Sequence, residues 1–117
     1  MLSSEQLASL ASLEQKAVEL ARRGDFGIEA RAVNQELTQL APDNSGAWTR
    51  FARCCLELGE LEAANAALES ALTLNPQNNI ARSLLQEVVR RELLANMPPE
   101  PPARARKSRS KKAAAEE

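Results

Sequence analysis

Apolar residues along this chain recur at three- and four-residue steps as far as residue 97, the period of helices that each bury one face. A first helix begins after Ser3 or Ser4, either of which can accept the orphan amide hydrogens. It carries Leu7, Leu10, Leu13, Ala17 and Leu20 before stopping near Gly24. Asp25 and Phe26 turn the chain. A second helix from about Ile28 to Leu40 places Ala30, Val33, Leu37 and Leu40 on one side, and Pro42 ends it. Asn44 or Ser45 caps a third helix whose inward stripe is Ala47, Trp48, Phe51, Ala52, Cys55 and Leu58, up to Gly59. Leu61, Ala64, Ala67, Leu68, Ala71 and Leu74 mark a fourth, closed by Asn75-Pro76. A fifth, roughly Asn79 to Met97, brings Ile80, Ala81, Leu84, Leu85, Val88, Val89, Leu93 and Leu94. The pattern predicts an all-α fold of two helical hairpins and one further helix.

The hairpins repeat. Leu40-Ala41-Pro42-Asp43-Asn44 returns 34 residues later as Leu74-Asn75-Pro76-Gln77-Asn78. A period of this length belongs to stacked helix-turn-helix units that bury their apolar faces only against their neighbours. The frame slips once. Gly24 precedes Gly59 by 35 residues while Pro42 precedes Pro76 by 34, so the turn around Gly27 is predicted to carry one extra residue.

Residues Ala47 to Pro76 resemble a tetratricopeptide repeat. Trp48 opens that pattern, Phe51 and Ala52 fall at its large and small positions, and Gly59-Glu60 occupies the turn. Ala64 and Ala71 fall where the paired helices approach closely, Leu68 stands in place of an aromatic, and Pro76 closes the unit. In the first unit Leu13 replaces Trp and Lys16 replaces the next large residue, whereas Ala17, Leu20, Gly24, Asp25, Phe26, Ala30, Leu37 and Pro42 fit. The resemblance implies a helix-turn-helix solenoid over residues 1–97, wound as a right-handed superhelical stack. Its repeats fall at about 10–44 and 45–78, with a capping helix over 79–97. It also implies a non-enzymatic module that binds a protein or peptide partner in a concave groove lined by the first helix of each pair.

Composition narrows the chemistry. The chain has 117 residues, 44 % of them hydrophobic, enough for one domain with a modest core. With no His, no Gly-rich phosphate loop and no nucleophile–base spacing, no catalytic site, metal or cofactor is expected. Met1-Leu2-Ser3-Ser4-Glu5 lacks the basic start and apolar run of a signal peptide, and no stretch approaches the roughly 20 apolar residues of a membrane span. A cytoplasmic protein without membrane contact is expected. Cys54 and Cys55 are adjacent and lie on different helix directions, which makes them poor disulfide partners. Cys55 reads as a small buried hydrophobe and Cys54 as partly exposed.

The charge is uneven. Residues 1–97 hold nine Lys/Arg against thirteen Asp/Glu, and residues 98–117 six against three. Pro98-Pro99-Glu100-Pro101-Pro102 is expected to be an extended spacer, followed by a disordered basic tail.

Three surfaces are candidates for function. The first is the groove. Thr49, Arg50 and Arg53 lie on the face of the third helix not used by Trp48 and Phe51, and two guanidinium groups three residues apart suit a carboxylate. A solvated charged face balanced by glutamates is the alternative. Some members of the family hold a carboxylate with Lys and Asn, but the matching positions here are Glu14 and Val18, which argue against such a clamp.

The second surface is the fifth helix. Its apolar residues spread wider than the roughly 100° stripe that one packing face needs. Either the helix inserts between both helices of the preceding pair, or Leu85, Val89 and Leu93 form a homodimer or partner contact.

The third is the tail. Arg104, Arg106, Lys107, Arg109, Lys111 and Lys112 can contact a polyanion, and without an aromatic residue any nucleic-acid binding there would be weak and non-specific. The expected function is protein–protein interaction through the groove or the fifth helix. The alternatives are a nucleic-acid- or ribosome-associated factor that uses the tail, and a purely structural oligomeric subunit.

Overall fold

The computed structural model describes residues 3–97 as five helices: α1 (Ser4–Arg22), α2 (Ile28–Leu40), α3 (Ser45–Glu57), α4 (Leu61–Leu74) and α5 (Asn79–Ala95). Each packs on its neighbour in sequence, and α5 also touches α3.

The helix ends follow local chemistry. Ser3 accepts the Gln6 amide while the Gln6 side chain accepts the Ser3 amide, a capping box that starts α1. Asn44 and Asn78 cap α3 and α5 in the same way as one another, accepting from the amides of Ala47 and Ala81. Gly24 and Gly59 stand just past the ends of α1 and α3 with φ of 73° and 81°. There Asp25 and Glu60 donate their amides to the Leu20 and Cys55 carbonyls at 2.8 Å. This is the Schellman closure, which places its penultimate residue in the left-handed region that glycine tolerates best.

The frame slip has a more particular form than one inserted residue. Five residues separate α1 from α2 and three separate α3 from α4, while α2 is one residue shorter than α4. The net offset is one, and the longer turn contains Phe26.

Two core clusters carry the same register. Leu20 and Leu37 from the first hairpin bury with Ala47 and Cys54 of α3, and Leu68 from the second hairpin buries with Ala81 and Val88 of α5. Ala47 and Cys54 precede Ala81 and Val88 by 34 residues each. α5 therefore docks on the second hairpin as α3 docks on the first. Each fully buried leucine in these layers contributes roughly 1.5–3 kcal/mol.

The same register corrects the expectation for Cys54, which is fully buried along with Cys55. A first helix in the middle of a stack is covered on two sides. Cys54 faces the preceding hairpin in one cluster, and Cys55 faces α4 in the other. Leu58, predicted on the inward stripe, is 38 % exposed because it is the cap residue, beyond the last turn of α3.

Candidate groove between the first helices

A cavity of about 310 Å³ opens where α1, α3 and α5 converge. Its apolar walls are Ala21 and Phe26 on one side and Ile80 and Leu84 on the other, with Gly46, Thr49, Arg50 and Arg53 of α3 and Asn78 between them. A larger, shallower depression of about 870 Å³ along α1 is lined by that helix alone, Glu14 and Val18 included.

The polar groups of the cavity are held in place. Arg50 is mostly buried, with 19 % of its side chain exposed. It donates from Nε to Asn34 Oδ1 at 3.0 Å and from Nη2 to both oxygens of Glu14 at 3.3 and 3.4 Å. Asn34 is itself buried and donates to the Ala30 carbonyl, so the network ties α1, α2 and α3 together at the groove floor. A Cβ on Gly46 would come within 3.3 Å of Arg50 Nη1. That glycine leaves the third nitrogen room at the cavity surface.

Arg53 is more open. Its guanidinium lies 4.6 Å from the centroid of the Phe26 ring and donates to Glu57 at 3.4 Å. Arg50 and Arg53 are neighbours, but each is countered by a carboxylate of its own, Glu14 and Glu57.

Thr49, expected on the open groove face, is 7 % exposed. Its hydroxyl donates to the Ser45 carbonyl at 2.8 Å and accepts from Asn78 Nδ2 at 2.9 Å. Asn78 Nδ2 also reaches Ser45 Oγ at 3.0 Å. One repeat earlier Asn44 Nδ2 donates to Glu14 at 3.2 Å. The contact from cap to preceding first helix is thus made twice.

A second pair of contacts fixes the unit. Trp48 Nε1 donates to the Pro42 carbonyl at 2.8 Å, and Arg82 Nη2, 34 residues on, donates to the Pro76 carbonyl at 3.1 Å. Across these contacts, from residue 27 to residue 88, the sequence matches the profile of the tetratricopeptide repeat. The chain belongs to the tetratricopeptide repeat family. No curated protein matches the sequence at a significant level.

α5 shares with α3, the first helix of its repeat, the asparagine cap, the small buried residue after it and the contact to the preceding proline carbonyl. It packs chiefly on α4 and less on α3, and its Arg91 donates to the Leu56 carbonyl at 2.9 Å, satisfying an acceptor at the end of α3.

Of the residues predicted to form the groove, Thr49, Arg50 and Arg53 line the cavity. Glu14 acts through Arg50, and Val18, 45 % exposed, lies on the α1 depression instead. Phe26, Gly46, Asn78, Ile80 and Leu84 also line the cavity and were missed in the sequence. The period contained the signal, because Gly46 aligns with Ile80 and Arg50 with Leu84. Leu85, Val89 and Leu93 lie on α5, with Val89 46 % and Leu93 64 % exposed. The basic residues Arg104, Arg106, Lys107, Arg109, Lys111 and Lys112 lie outside the described residues.

Among the described residues no helix is long and apolar enough to cross a membrane. Burial pushes both thiols up to about 11, which disfavours thiolate chemistry at either cysteine.

Proposed function

We propose that this chain is an adaptor that binds a short segment of a partner protein in the cavity between α1, α3 and α5. Tetratricopeptide repeats generally mediate protein–protein interaction and are generally non-enzymatic scaffolds. The observation that supports this reading is that α1, α3 and α5 meet around one cavity with apolar walls and two guanidinium groups.

At about 310 Å³ the cavity is at the lower end of the roughly 300–1,000 Å³ of ligand sites, and it suits one or two side chains of a peptide. An apolar side chain would lie between Phe26 and Ile80–Leu84. A carbonyl or carboxylate beside it would accept from Arg50 Nη1 or from Arg53, whose remaining N–H groups are donors only. Because Glu14 and Glu57 already offset much of the positive charge, recognition would depend on one well-placed acceptor more than on a run of acidic residues.

The test is the affinity of peptides selected against the full chain from a random display library. Ile80→Glu and Arg53→Glu change exposed side chains and should each weaken those peptides by about tenfold or more, with helical content unchanged. Affinities unaffected by both substitutions would reject the groove.

A further inference from the structure

In α3 the face turned to its own second helix is Phe51, Ala52 and Cys55, all within the α3–α4 core and none more than 9 % exposed. One repeat later the same positions are Leu85, Gln86 and Val89, and there they line an open depression of about 370 Å³ with Arg82. α5 is thus a first helix whose second-helix face is uncovered among the described residues. Residues 98–117 contain four prolines and no Leu, Ile, Val, Met or Phe.

The uncovered face complements itself. Arg82, Leu85, Val89 and Glu92 follow at steps of three, four and three, which places them on one stripe about 15 Å long. Neither Arg82 nor Glu92 has an ion-pair partner among the described residues. Arg82 uses one nitrogen on the Pro76 carbonyl and keeps donors to spare.

Laid antiparallel on a copy of itself, the stripe matches from either end. Leu85 of each copy opposes Val89 of the other, and Arg82 of each opposes Glu92 of the other, twice by symmetry. A parallel pairing would instead set Arg82 against Arg82 and Glu92 against Glu92.

We propose that α5 closes its open face by pairing antiparallel with α5 of a second copy of this chain, each helix serving as the other's missing second helix. Ile80 and Leu84 project into the cavity on another side of α5, so the pairing leaves the groove open and does not depend on it. A single helix pair is a small interface beside the roughly 1,200–2,000 Å² typical of specific ones, so the dimer should depend on concentration.

The test is sedimentation velocity on the full chain from low micromolar to submillimolar concentration, with circular dichroism as the folding control. A monomer–dimer equilibrium is expected. Val89 is half exposed, so Val89→Asp should abolish the dimer without emptying the core. Arg82→Glu and Glu92→Arg should each raise the dissociation constant about tenfold, and the two together should restore it. A chain that is monomeric throughout, or a dimer indifferent to Val89→Asp, would overturn the interface. A double variant no tighter than either single one would overturn the antiparallel pairing.

Discussion

The Asn78 side-chain amide donates to the Thr49 hydroxyl at 2.9 Å, across the seam where α5 meets α3. The same amide reaches Ser45, and its oxygen caps α5 through Ala81, so one residue fixes both the start of a helix and its position against the previous repeat. Asn78→Ala should cost about 1–2 kcal/mol in urea denaturation, the range of a lost cap with its side-chain bonds. Hydrogen exchange should speed up in α5 before it does in α3 or α4. Uniform exchange across all three helices would show that α5 is not held as a separate layer.

Arg50 and Arg53 differ more than their spacing implies. Removing Arg50 strips the donor from the buried Asn34 oxygen and the countercharge from Glu14. Arg50→Leu should therefore cost about 1–3 kcal/mol, whereas Arg53→Leu, on a side chain 43 % exposed, should fall within about 0.5 kcal/mol of the parent. Chemical denaturation of the two variants decides this. Equal costs would contradict the assignment of Arg50 to the groove floor.

The hairpins were legible in the sequence because helix period, caps and prolines all agree there. Ile28–Leu40 and Leu61–Leu74 are the bounds that the apolar steps predict. The cavity was less legible because its walls come from residues far apart in sequence. Phe26 enters it through the longer first turn, and Leu84 enters it because α5 repeats the register of α3. The burial of Cys54 was missed for a similar reason. A single-stripe reading of α3 assigns one packed face, and a first helix between two hairpins has two.

Acid should act on the end of the stack. Hydrogen bonds from Arg90 and Arg91 hold the Glu87 carboxylate down at about 2, and Arg91 in turn holds the Leu56 carbonyl. A carboxylate whose folded pKa is depressed stabilises the fold above its unfolded value, and that contribution fades as pH falls from about 4.3 toward 2. Carbon-13 NMR of the Glu87 carboxyl should give a midpoint near 2. Glu87→Gln should remove this part of the acid dependence. A Glu87 midpoint near the ordinary glutamate value would contradict the pairing.

The cysteines should be silent in the native state. With thiols pushed up to about 11 and no exposed surface, Cys54 and Cys55 should react with a disulfide reagent at pH 8 only as fast as the chain opens. In denaturant both should react at once. Rapid labelling of either cysteine in the folded protein would contradict the two-sided burial of α3.

The most direct test of the groove is to locate a bound ligand. Amide chemical-shift mapping of the full chain with a library-selected peptide should show its largest changes at Gly46, Arg53 and Leu84, with Phe26 and Ala21 shifting across the cavity. Changes centred on α2 and α4, or confined to the Leu85–Val89 face, would contradict the account.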